Sequence, residues 1–203
     1  MLLLLLLRGK VFATVGCDPR APLLVWDARA DGSRPVLTKL GRHHGGSDAP
    51  YLCVASQPFT PEVFACGVST GELLLWDVRA ADVLHEMKVG DEAGGTWGVA
   101  FHPRRPRHLF SCSGTGALTK WLLPAGRGQA QERAPYTNAA AAAPRFGLGD
   151  GGAGGAWEGT ALRALPSRSA LVDVCYDEAA DCVSAVSKYG HVLVAQGVAG
   201  LRL

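Results

Sequence analysis

The chain has 203 residues, 48% of them hydrophobic, with 20 Lys plus Arg against 18 Asp plus Glu and a net charge of +2. That size suits one large domain or two small ones, and the apolar content is that of a globular chain. The near-neutral balance supplies no basic field, so direct nucleic-acid binding is not expected, and no segment is long enough to span a bilayer as a helix.

The chain opens on a run of leucines, residues 2–7. It lacks a basic n-region and is short for a signal-peptide core. It reads as a buried strand, the innermost of the first unit, or as the irregular start of an incomplete chain. A β-branched and aromatic run at residues 11–15 follows, then a turn and LLVWD at 23–27; residues 36–40 would form an outer strand. GRHHGGSDAP, residues 41–50, is a polar Gly-rich connector.

The second unit begins at residues 51–55 and centres on FACGVSTGELLLWDVR, residues 64–79. Ser69-Thr70-Gly71 is a turn between two apolar runs, and residues 83–89 supply a fourth strand. The third unit runs through TWGVAFHP at residues 96–103, residues 108–112, the turn Gly114-Thr115-Gly116, and residues 117–122. Gly71 and Gly116 each precede a tryptophan by five residues.

Residues 124–159 break the pattern with five consecutive alanines and GLGDGGAGG. Such a composition cannot bury enough apolar surface to offset its ordering entropy, so the stretch reads as a surface insertion and not a second domain. Residues 171–176, 182–186 and 191–195 form the last unit, with Ala195 where earlier units carry Trp and no fourth strand.

Trp26 to Trp76 is 50 residues and Trp76 to Trp121 is 45. That period, with two Trp-Asp dipeptides at matching strand ends, is the signature of four-stranded repeats of about 40–45 residues. The expectation is an all-β WD-repeat β-propeller of about four blades, over residues 1–50, 51–93, 94–165 and 166–203, forming part of a seven-bladed ring. The structural repeat positions are Trp26, Asp27, Trp76, Asp77 and Trp121. Thr70 and Thr115 stand where the family's turn Asp is usual, so its buried polar network is expected to be incomplete.

TWGVAFHPRRPRHLFSCSGTGALTKW at residues 96–121, LPSRS at 165–169, and the paired LLVWDAR and LLLWDVR boxes resemble WD-repeat nucleoporins of the nuclear pore outer ring. The likeness covers residue 11 to the end and corresponds to the C-terminal half of such a protein. It implies a scaffold subunit of the Y-shaped outer-ring complex, located at the pore and at kinetochores in mitosis, supporting nucleocytoplasmic transport. The implied partners are other outer-ring nucleoporins, with no catalytic residues and no cofactor.

The residues themselves agree with a chain that does no chemistry. No GxSxG elbow, P-loop, HExxH or paired carboxylate is present, and the six cysteines form no CxxC pair. The cysteines read as small buried hydrophobes of a reducing compartment, and His43, His44, His102 and His108 as structural or surface residues. Arg104, Arg105 and Arg107 form a basic turn, a solvated loop or a docking contact for an acidic partner. Arg29 and Arg79 end WDxR boxes. These either brace the strand turn or, as in propellers that dock on cullin-ligase adaptors, reach a partner; the latter gives the alternative of a substrate receptor for a cullin-type ubiquitin ligase.

Overall fold

The computed structural model describes residues 3–8, 11–18, 23–29, 35–39, 49–60, 62–79, 82–88, 94–123, 158–164 and 169–198. Fifteen strands form four antiparallel sheets. Sheet one orders β1 (Leu3–Arg8), β2 (Val11–Val15), β3 (Leu23–Asp27) and β4 (Leu37–Lys39) as they occur in the chain. Sheet two does the same with β5 (Tyr51–Ser56), β6 (Val63–Val68), β7 (Glu72–Asp77) and β8 (Asp82–Lys88). Sheet three comprises β9 (Thr96–Phe101), β10 (His108–Ser113), β11 (Ala117–Leu122) and β12 (Glu158–Ala164). Sheet four has three described strands, β13 (Leu171–Asp177), β14 (Cys182–Ser187) and β15 (Val192–Gln196).

These sheets are propeller blades. Each is a meander, and the first strands of neighbouring blades lie side by side: β1 against β5, β5 against β9, β9 against β13. The leucine run is thus the inner strand of blade one, paired with β2. Its side chains fall outside the described set.

Three apolar clusters fill the gaps between consecutive blades. Ala13, Val15, Leu23 and Val25 of blade one meet Tyr51, Phe64, Leu74 and Trp76 of blade two. Ala65, Leu73 and Leu75 from the other face of blade two meet Phe101, Leu109 and Trp121. Phe110, Cys112 and Leu118 of blade three meet Leu171, Val174, Val183 and Leu193. Central strands of inner blades are covered on both faces, which is why β6 and β10 are buried at every position despite the period-2 geometry. In β14 burial nearly alternates, one face being packed on blade three. Each fully buried Leu or Phe contributes roughly 1.5–3 kcal/mol.

The turn glycines recur in register. Gly71, Gly116 and Gly190 have φ of +97°, +86° and +81°, and each N–H closes a turn on the carbonyl of Val68, Ser113 or Ser187 at 3.0–3.1 Å. Gly67 acts differently: a Cβ there would meet the Thr96 carbonyl oxygen and approach Cys53 Sγ at 2.6 Å, so blades two and three approach closely only because it has none.

Two expectations change. Glu158 and Gly159, read as the end of the insertion, belong to β12, which pairs with β11 and completes blade three. The remainder of the insertion, residues 124–157, lies outside the described residues, as does the connector at 41–48 with its two histidines. The cysteines also divide: Cys53, Cys66, Cys112 and Cys182 are buried, but Cys17 and Cys175 are exposed, Cys175 because it lies on the face of β13 away from blade three.

Gly67→Ala and Gly71→Ala should separate spacing from backbone strain. The first forces backbone apart at a blade seam and should cost about 1–3 kcal/mol. The second meets no atom within 4 Å and should cost about 1–2 kcal/mol, from its left-handed backbone alone. Urea unfolding of the two variants checks both; a Gly67→Ala loss smaller than the Gly71→Ala loss would refute the seam explanation.

Candidate interaction surfaces

The repeat residues form local braces. Trp26 stacks along Phe12 at a centroid distance of 6.1 Å, and its indole N–H donates to Thr14 Oγ1 at 3.0 Å. Trp121 donates to Ser111 Oγ at 2.8 Å. In blade two Trp76 stacks along Phe64 at 6.5 Å, but Cys66 takes the hydroxyl's place and the indole faces the Tyr51 hydroxyl. Burial, with smaller effects of Cys66 and Glu86, holds that phenol well above its usual pKa. A hydrogen bond from the indole to a hydroxyl of the neighbouring strand is therefore present in blades one and three, while Cys66 stands at that place in blade two.

The WDxR arginines fold onto their own strands. Arg29 N–H and Nε–H both donate to Asp27 Oδ1 at 2.9 Å, and Nη2–H to Oδ2 at 2.6 Å. That hydrogen bond, and then the charge of Asp27, raise the Arg29 pKa. Arg79 N–H donates to Asp77 Oδ1 at 2.8 Å, with Nε 3.7 Å from the same oxygen. The Asp closes the turn after the strand and the guanidinium covers it.

A second recurring brace sits where the inner strands β5, β9 and β13 end. Gln57 Oε1 accepts the N–H groups of Phe59 and Thr60. His102 Nδ1 accepts those of Arg104 and Arg105 at 3.0 and 3.1 Å. Asp177 Oδ1 accepts those of Ala179 and Ala180 at 2.9 and 3.3 Å. An amide, an imidazole and a carboxylate thus serve one purpose, satisfying turn N–H groups that strand pairing leaves over. The sequence marks His102 as a structural or surface residue but hides the equivalence, because the three residues share only an acceptor atom.

The basic turn is built into the joint between blades three and four. Arg104 pairs with Glu178, across the joint. Arg107 Nε–H donates to the Leu123 carbonyl at 2.7 Å. Beneath them His102 lies 4.3 Å from the Tyr176 ring and 5.9 Å from His108, and Tyr176 stacks on Phe110 at 5.5 Å while donating to Asp181 Oδ1 at 2.8 Å. Lys120, fully buried, donates from Nζ to the Val198 carbonyl at 2.8 Å. Lys120 was not anticipated, although its period-2 position with Leu118 places it on the face toward blade four.

This setting disfavours further positive charge. Burial, and then Arg105, lower His102 to about 4, against a small opposing pull from Asp181. Burial, and then Lys120 and Arg105, lower His108 to about 3. His102 Nε2 and His108 Nδ1 are buried with no hydrogen-bond partner among the described residues. Burial lowers Lys120 as well. The arrangement is a structural latch. Among the described residues no group of three His, Cys, Asp or Glu could hold a metal, and no helix is long and apolar enough to cross a membrane.

Comparison with known proteins agrees with the blade architecture. The chain is 38% identical over 101 residues to mouse nucleoporin Nup43 and 37% identical over 101 residues to the human protein. The chain is similar to nucleoporin Nup43. Each match covers 49% of this chain and 25% of the relative, so the chain matches about a quarter of the length of these relatives. A ribosome biogenesis protein WDR12 homolog from Chlamydomonas reinhardtii is 35% identical over 81 residues, covering 38% of this chain and 18% of that protein. No protein-family model matches the chain.

The joint should make stability depend on acid. Both histidines have folded-state pKa values below the unfolded value near 6.5. The unfolded chain therefore binds more protons between those values, and stability falls as pH drops from about 6.5 toward about 4 for His102 and about 3 for His108. His102→Gln copies the Gln57 brace without the imidazole. It should fold at neutral pH and show a shallower loss between pH 6.5 and 4 in thermal melts. An unchanged slope would remove His102 from this account.

Proposed function

We propose that the chain is a non-enzymatic scaffold subunit of the nuclear pore outer-ring complex, acting at the nuclear pore in nucleocytoplasmic transport and at kinetochores in mitosis, with other outer-ring nucleoporins as partners. The observation that carries this reading is the 37–38% identity to nucleoporin Nup43 over half the chain. The architecture supports it: stacked blades offer extended, rigid surfaces for docking, and the polar side chains of the repeats are spent on turns and strand ends. Arg29 and Arg79, which would have to reach an adaptor in the ubiquitin-ligase alternative, are engaged by Asp27 and Asp77.

A fluorescently tagged chain should concentrate at the nuclear rim, and affinity purification should enrich outer-ring nucleoporins over an unrelated propeller. Diffuse signal with intact, folded protein and no nucleoporin enrichment would overturn the proposal.

A further inference from the structure

Most exposed large hydrophobics among the described residues share one end of blades three and four. Trp97 is 40% exposed, Val172 38% and Tyr189 69%; Val36 and Val192 lie elsewhere. Trp97 and Val172 occupy matching places near the starts of the inner strands β9 and β13. At both, the pairing with the next strand slips by a residue, between Cys112 and Ser113 opposite Trp97 and between Leu171 and Asp173 around Val172. Such a bulge turns one side chain out of the alternation. The two are neighbours across the seam, because a Cβ on Gly98 would lie 3.0 Å from Asp173 Cα and 2.9 Å from Val174 N. Leu52 has the same place in β5 but is only half-exposed, its Cδ1 lying 3.2 Å from where a Cβ on Gly95 would stand.

The β14–β15 turn brings Tyr189 to the same end, since Lys188 N–H donates to the Ala170 carbonyl at 3.0 Å, just ahead of β13. Val192, opposite Val186, falls instead on the face of blade four away from blade three, because the adjoining Leu193 packs toward blade three.

These side chains are held in place. The Trp97 indole N–H donates to the Gly94 carbonyl at 3.0 Å, and a Cβ on Gly114 would lie 2.9 Å from Nε1, so the ring rests on bare backbone. Lys188 Nζ stands 4.9 Å from the centroid of the Tyr189 ring. Exposed aromatic residues that are already ordered lose little entropy when a partner covers them, and Trp and Tyr are the residues on which binding energy concentrates. Apolar surface gathered at one end of a blade pair is the mark of a protein contact.

We propose that this end of blades three and four docks a segment of a partner protein that presents an apolar side chain beside a carboxylate. The apolar group seats against Trp97 and Val172, and the carboxylate meets Lys188 on Tyr189. Charge selects this occupant over a nucleic acid. Among the described residues Lys188, exposed on the Tyr189 ring, matches one carboxylate, whereas a phosphate chain would add negative charges near the exposed Asp173 that this lysine cannot balance. This deepens the scaffold reading by naming the surface it uses, and rests on that reading for the identity of the partner.

The test places p-benzoylphenylalanine at Tyr189 in the full chain, with Ala179 at the far end of blade four as the control position, and maps photo-adducts formed in cells by mass spectrometry. The expected adduct joins Tyr189→p-benzoylphenylalanine to a nucleoporin segment carrying Leu, Phe or Ile within a few residues of Asp or Glu. Trp97→Ala and Lys188→Glu should each reduce its yield at least about fivefold, with melting temperatures unchanged. The same kind of segment in a protein that is not a nucleoporin would support the docking surface and defeat the scaffold reading. An adduct with RNA, a segment flanked by Lys and Arg, a yield no greater than at Ala179, or a yield untouched by both substitutions would overturn the docking surface. If Trp97→Ala lowers the melting temperature, Lys188→Glu alone decides.

Discussion

A four-stranded sheet whose two faces are both apolar cannot satisfy itself, and in this chain the facing surfaces of consecutive blades close on one another. Leu74 and Leu75 are consecutive residues of one strand, yet one packs toward blade one and the other toward blade three. The same division separates Leu109 from Phe110. Blade spacing therefore controls everything attached to it. Where the spacing is closest, glycine stands in the strand: Gly67 against Thr96 and Gly98 against Asp173. The second of these approaches is also what sets Trp97 beside Val172, so one packing requirement creates the exposed apolar end.

The polar residues follow from the same stacking. Sheets pair their own backbone groups, leaving strand ends and turns to be satisfied by side chains. Gln57, His102 and Asp177 do so at one point of three blades; Asp27 and Asp77 do so at another. The joint between blades three and four adds a buried amine and two neutral imidazoles beneath an ion pair. Its stability should vary with pH because burial opposes charge there more than the nearby Asp181 favours it.

Much of this fold was legible in the sequence because it depends on spacing. The intervals between tryptophans, the glycine five residues before Trp76 and Trp121, and the apolar runs between turns are properties of the chain that stacking preserves. The cysteines were only partly legible: an apolar run indicates a strand but not which face is covered, and Cys175 is exposed for that reason. β12 escaped notice because EGTALRA, after a long Gly- and Ala-rich stretch, has weak alternation and acquires its identity by pairing with β11.

By itself the sequence determined the repeat and the blade class, since both are carried by residues at fixed separations, and it carries the likeness to nucleoporin Nup43. Only the tertiary structure decided what individual polar and aromatic side chains do. It turned Arg29, Arg79 and Arg104 toward partners within the chain and buried Lys120 against Val198. It made Gln57, His102 and Asp177 equivalent, and left Trp97 and Tyr189 facing outward. The reason is physical: these roles depend on which atom of another blade stands opposite, and that distance is set by packing between segments far apart in the chain.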